Sequence, residues 1–144
     1  MSQGESSVGI DIPIIGKMGA EILEMTANTI KVKMPLEPNI NHVGTMYAGS
    51  LFTLAEFPAG ALFVQRMDTT KVWPIVAEVN IRYRRPALTD VYAHFVFEED
   101  SFARLQEEAL EKGKASFNHR QELTDESGEV VAITDARYVI LKAP

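Results

Sequence analysis

Apolar and polar positions alternate along much of this chain, and the places where the alternation stops set the element boundaries. Ile30, Val32 and Met34 alternate with Thr29, Lys31 and Lys33, the period of two that a strand buried on one face requires. Residues 18–25 are read as its partner, joined to it at Thr26-Ala27-Asn28. Further on, Ile75, Ala77, Val79, Ile81 and Tyr83 are predicted to face one way and Glu78, Asn80, Arg82 and Arg84 the other, until Pro86 ends the strand. Val91, Ala93, Phe95 and Phe97 mark the next strand. Residues 115–123 and 129–141 form two long strands with a turn at residues 125–128.

The helical segments read differently. Phe102, Leu105, Ala109 and Leu110 form the inner stripe of a helix over residues 102–112, with Asp100 and Ser101 as candidate caps and Gly113 as its stop. Pro35, Pro38, Asn39 and Asn41 mark a loop, after which Gly44-Thr45 leads into a long helix over residues 46–66. That helix is apolar on nearly every side, so it is expected to be buried all round. Pro58 removes one backbone donor and should bend it without breaking it. Residues 9–15, with Pro13, are read as a helical turn or an extended lead-in, and residues 1–9 as small, polar and frayed.

Strands joined by short turns favour an antiparallel sheet, and an apolar helix needs covering by that sheet. The predicted architecture is therefore α+β, a curved antiparallel sheet wrapped around a long central helix, with residues 1–144 as a single domain. A ferredoxin-like sandwich fits less well, because its helices each expose a polar face.

Composition closes several classes of function. The chain has 46% apolar and 24% charged residues, as a soluble globular protein does. With no cysteine, neither a disulfide framework, a thiolate zinc site nor a cysteine nucleophile is available. His42, His94 and His119 lie apart without helical metal-ligand spacing, so neither a metal nor any other cofactor is expected. The formal net charge of -6 argues against nucleic acid as a partner. The N-terminus lacks the basic and apolar parts of a secretory signal, which points to the cytoplasm. Residues 43–65 are long enough to span a membrane, but they contain Glu56, Pro58, Gly44, Gly49 and Gly60, and a helix enclosed by its own protein is preferred.

Glu56 is the only charged side chain between Val43 and Gln65. A lone carboxylate in an apolar helix is costly to keep ionised, so it needs a satisfied structural partner or a chemical task. The run from Asn41 to Glu56, N-H-V-G-T-M-Y-A-G-S-L-F-T-L-A-E, resembles the signature of hot-dog-fold thioesterases of the phenylacetyl-CoA (PaaI-like) type. That pattern is N-x-x-G-x-x-H-G-G, followed by a helix whose acid lies fifteen positions after the Asn; Asn41, Gly44, Gly49 and Glu56 stand in register with it. The variant here is more similar still to the thioesterase-like domain at the C-terminus of YiiD-type proteins. The resemblance implies a hot-dog fold, an acyl-CoA or other acyl thioester as substrate, and dimers or dimers of dimers with sites at the interface.

Helix geometry makes its own demand. Gly49 and Glu56 share a helix face but stand roughly 10 Å apart along the axis, so one copy cannot easily bring both to one carbonyl. If N–H groups near Ala48 and Gly49 polarise a carbonyl while Glu56 acts on the same carbon, Glu56 should come from a second copy in a two-fold homodimer. Glu56, its pKa expected to rise on burial, would act as general base or direct nucleophile. The resemblance implies that Asn41 orients water or the carbonyl. It departs from the family at Tyr47, in place of His, at Ala48, in place of the first Gly, and in having Glu for Asp. One turn past the acid, where some related thioesterases place a hydroxyl residue, stands Gly60.

Each candidate also has a structural reading. Glu56 could bond to backbone groups across a dimer, Asn41 could cap its loop, and Gly49 could serve close packing. Tyr47 and Phe52 suit either core or acyl-pocket wall, and Arg82, Arg84 and Arg85 either coenzyme A phosphates or a solvated rim. Two competing functions stay open. One is a hot-dog acyl dehydratase or hydratase, for which His42 precedes Glu56 by fourteen residues. The other is a non-catalytic acyl-CoA or lipid-binding module.

Overall fold

A computed structural model describes residues 12–144. The elements run α1 (Pro13–Met18), β1 (Glu21–Met25), β2 (Thr29–Met34), a 3-10 turn (Glu37–Asn39), α2 (Ala48–Arg66), β3 (Val72–Tyr83), β4 (Val91–Val96), α3 (Ser101–Lys112), β5 (Lys114–Asp125) and β6 (Val130–Lys142). The expectation of a frayed segment over residues 1–9 lies outside the described residues. Met18 closes α1 and does not open a strand, because Gly19 takes the left-handed conformation, φ 81°, that ends the helix.

The six strands form one antiparallel sheet in the order β1-β2-β4-β5-β6-β3, and α2 packs against β2 through β6 on one face. The curved sheet around a central helix is thus as expected. Ile30, Val32, Met34, Phe95, Leu123 and Ile140 from the sheet and Leu54, Leu62 and Phe63 from α2 are buried and make the core. Phe63 is its hub, with its ring 5.4–6.2 Å from those of Tyr138, Phe102, Phe97 and Phe117. β4 and β5 pair only from Val91↔Asp125 to Ala93↔Leu123, and where they diverge the Gln121 amide bridges them by donating to the His94 carbonyl at 3.0 Å. α3 ends at Gly113 as predicted, φ 93°, but Asp100 caps it without a side-chain hydrogen bond.

α2 runs unbroken through Pro58 for 19 residues. It is not buried all round. Gly49, Thr53, Glu56 and Gly60 recur at helical spacing as a half-buried stripe, flanked by the exposed Phe52 and Val64. The stripe is the part of the helix that its own sheet does not cover.

β3 lies at a sheet edge and departs from the predicted alternation. Val76 pairs with Tyr138 and Glu78 with Arg137, so Ala77 is an extra residue, a bulge that reverses the parity of the strand. Pro74 and Val76 face inward opposite Ile140 and Tyr138, whereas Trp73 and Ile75 share the outer face with Leu141 and Val139. Val79, Ile81 and Tyr83 face inward beyond the bulge. Ile75 and Ala77 therefore do not share a face with Val79, as the periodicity suggested. Trp73, Ile75, Val76 and Tyr83 are left 36–49% exposed along this edge. Among the described residues no helix is long and apolar enough to cross a membrane.

Candidate active site

The start of α2 is held from three directions. Met46 N–H donates to the Ala87 carbonyl at 2.9 Å and Tyr47 N–H to the Asn39 carbonyl at 2.8 Å. The buried Asn39 side chain donates from Nδ2 to the carbonyls of Met18 and Pro35, at 2.8 and 2.7 Å, and accepts from Ser50 Oγ at 2.9 Å. Tyr47, extended at φ -58° and ψ 137°, then turns the chain into the helix two residues after the predicted start. Among the described residues the N–H groups of Ala48 and Gly49 meet no protein acceptor, as first-turn donors of a helix do not. These donors and the helix dipole create a place for negative charge.

Tyr47 folds its ring over Gly49 so closely that a Cβ there would lie 2.6 Å from Cε2. Gly49 thus admits the Tyr47 ring. Tyr83, from the end of β3, donates its hydroxyl to the Ala48 carbonyl at 3.1 Å, and burial together with the nearby Tyr47 pushes its ionisation up. Neither the position nor the role of Tyr83 was evident from the sequence, where it was one of an alternating series.

Glu56 sits at the centre of the uncovered stripe, half-buried and without a hydrogen-bond partner among the described residues. Burial raises its pKa above the ordinary carboxylate range, since no cation offsets the loss of hydration. Burial first, and then the negative charge of Glu56, hold the Tyr138 phenol well above its usual value.

Asn41 holds its own loop. Its Oδ1 accepts from the N–H groups of Val43 and Thr45, both at 3.0 Å, and its Nδ2 donates to Thr45 Oγ1 at 2.9 Å. One amide hydrogen is left over. His42 is exposed in the same loop, Tyr47 is 59% exposed, and Phe52, at 37%, edges the stripe. Arg84 and Arg85 line a cavity of about 480 Å³ with Glu122, Ser127 and Glu129, next to the strand end that touches the α2 start. Arg85 pairs with Glu129 at 3.0 Å and Arg82 with Asp135 at 3.7 Å, while Arg84 has no ion pair among the described residues. His119 stacks among Phe95, Phe97 and Phe117 and bonds to Gln121 Oε1 at 2.8 Å, its pKa lowered by burial. Among the described residues no three histidines or carboxylates gather as metal ligands would.

With this geometry in view, the family described as "Putative thioesterase (yiiD_Cterm)" matches residues 3–142. The chain belongs to this family. A Pseudomonas aeruginosa protein described as a probable thioesterase is similar to it at 38% identity, with 95% of this chain and 92% of that one covered and a TM-score of 0.88. A thioesterase-family structure from Shewanella oneidensis is similar at 26% identity, covering 96% and 94%, with a TM-score of 0.74. A thioesterase from Haemophilus influenzae, 14% identical with coverage of 90% and 82% and a TM-score of 0.68, shares the fold. No curated protein matches the sequence. The sheet and helix are those of the hot-dog fold, and the YiiD-type thioesterase family assigns the chain to the thioester hydrolases without naming an acyl group.

Within one chain of this YiiD-type fold, the helix start and Glu56 are not brought together. Ala48, Gly49, Tyr47 and Asn41 gather at one end of α2, and Glu56 and Phe52 lie further along the stripe. Asn39 and Tyr138 were missed by sequence reasoning. The first looked like one more loop residue after two prolines, and the second like an ordinary inward strand position.

Proposed function

We propose that two copies of this chain pair through the β3 edge and the α2 stripe, and that each resulting site hydrolyses an acyl thioester, with acyl-CoA the expected carrier and the cytoplasm the expected location. The observation that carries this reading is Glu56 itself: a half-buried, unpaired carboxylate with a raised pKa, on the one strip of α2 that its own sheet leaves open. An exposed apolar sheet edge beside such a strip calls for a partner, and a second copy related by a two-fold axis covers both at once.

In this arrangement the N–H groups of Ala48 and Gly49 from one copy receive the developing oxyanion, and Glu56 from the other takes a proton from water. The water oxygen bonds to the acyl carbon, the C–S bond breaks, and the proton passes to the departing thiolate. Asn41 turns its remaining amide hydrogen to the carbonyl or the water. Tyr47 and Phe52 wall the acyl group, and Arg84, with Arg85 once freed from Glu129, receives the phosphates of coenzyme A.

The test is thiol release over a panel of acyl-CoA chain lengths, for the wild type and Glu56→Gln. Hydrolysis by the wild type and its loss in the variant support the reading; equal rates refute the role of Glu56. Tight acyl-CoA binding without turnover would favour a binding module, and a 2-enoyl product formed from a 3-hydroxyacyl thioester would favour a dehydratase. Single-turnover hydrolysis in ¹⁸O water separates general base from nucleophile, since only a nucleophilic Glu56 acquires the label.

A further inference from the structure

Tyr138 presents a contradiction that packing alone does not resolve. It is 2% exposed, in the centre of the core, and its hydroxyl is the one buried side-chain polar atom without a hydrogen-bond partner among the described residues. A buried hydroxyl left unpaired is destabilising, and phenylalanine would fill the same space without the penalty. The ring packs edge-on against Phe63, 5.4 Å between centroids, two turns of α2 beyond Glu56, and the charge of Glu56 acts on the phenol. Between those two helix positions stands Gly60, where an added Cβ would meet nothing within 4 Å. Gly60 therefore leaves open space beside the helix one turn past the acid.

We propose that the Tyr138 hydroxyl is the partner of Glu56 in the working site, donating to one carboxylate oxygen and accepting the second hydrogen of the attacking water held at Gly60. The inference rests on the hydrolytic reading given above. The water then gives one hydrogen to Glu56 and directs the other to Tyr138, which fixes its lone pair toward the acyl carbon. The phenol keeps its proton throughout. β6 thus supplies from the sheet the hydroxyl that α2 lacks at Gly60. The other inward-facing titratable groups of the packed strands, His119 on β5 and Tyr83 on β3, have their own partners in Gln121 and the Ala48 carbonyl.

The experiment uses Tyr138→Phe, Gly60→Ser and the double variant of the full chain, with acyl-CoA hydrolysis and an NMR titration of the Glu56 carboxyl as separate readouts. Tyr138→Phe is expected to lower kcat by about tenfold or more with KM little changed and thermal stability retained. It should also raise the Glu56 pKa, because a donor to the charged form is lost, and move the acid limb of the kcat profile to higher pH. Gly60→Ser in the Tyr138→Phe background puts a hydroxyl in the open space beside the helix and should recover much of the rate. A Tyr138→Phe enzyme with unchanged kcat, or a rate loss that Gly60→Ser leaves untouched with the Glu56 pKa unmoved, overturns the proposal while hydrolysis stands. A wild type without hydrolase activity overturns the hydrolytic reading and the water with it; a Glu56 pKa that still rises in Tyr138→Phe then keeps the pairing of the two side chains.

Discussion

Replacing Asn39 with alanine should destabilise this protein far more than its place in a loop just after Pro38 suggests. The side chain is 5% exposed and makes three hydrogen bonds of 2.7–2.9 Å, to the carbonyls of Met18 and Pro35 and from the hydroxyl of Ser50. Alanine leaves all three partners unpaired. A buried polar group so stranded loses roughly 1–3 kcal/mol, and Met18 and Pro35 are only half-buried and can regain some water, so the low end applies and the sum is about 3–4 kcal/mol. Asn39→Asp should be worse at neutral pH. It puts a carboxylate oxygen against two carbonyls that need a donor, and its folded-state pKa is raised above the unfolded value. The folded form then binds the proton more tightly, so this variant regains stability as the pH falls from neutral through the folded pKa toward the unfolded one. Urea unfolding at fixed protomer concentration, from pH 4 to 8, measures both effects. An Asn39→Ala protein within about 0.5 kcal/mol of wild type, or an Asn39→Asp protein no less stable than Asn39→Ala at neutral pH, would refute the role assigned to this side chain.

Three further outcomes follow from the same geometry. The Glu56 pKa is raised on folding, so the folded state holds that proton more tightly and the wild type loses stability as the pH rises from the ordinary carboxylate range through the raised value. Glu56→Gln lacks that loss: its Tm should exceed the wild type's above this window and converge with it below, and a Tm difference independent of pH would count against a desolvated acid. Ile75→Asp on the β3 edge should yield a folded monomer by sedimentation and remove hydrolysis together with the dimer; full activity in a monomer would break the link between the two. Arg84→Ala should raise KM for acyl-CoA several-fold, with a steeper effect at low salt, and leave KM for an acyl thioester lacking the nucleotide phosphates unchanged, whereas equal effects on both would remove Arg84 from phosphate binding.

Much of the fold was legible because burial on one face imposes a period of two, and the runs around Ile30, Val91 and Phe117 keep it from end to end. The parity of β3 was not legible. A bulge at Ala77 arises from how Val76 and Glu78 meet Tyr138 and Arg137 on β6, and no property of Ala77 alone announces it. The apolar surface of α2 concealed a second fact. A helix without a polar face reads as one enclosed by its own chain, yet the stripe through Gly49, Glu56 and Gly60 is left open, which composition cannot distinguish from burial. At the site, Glu56 stood out because a charge is conspicuous among apolar neighbours. Asn39, Tyr83 and Tyr138 did not, since what marks each of them is a hydrogen-bond partner, or the lack of one, brought by a distant element.

The central claim is that each site draws its acid from one copy and its oxyanion donors from the other, and subunit complementation tests it directly. Ala48→Pro removes one donor with little disturbance: proline suits the first helical position, and Tyr47 before it already has the extended backbone, φ -58° and ψ 137°, that proline requires. Ala48→Pro and Glu56→Gln should each be nearly inactive alone. Unfolded and refolded together in equal amounts, half of the dimers are hybrids with one intact site of two, so the mixture should recover about a quarter of wild-type activity. A mixture no more active than the average of its two parents would contradict the shared site.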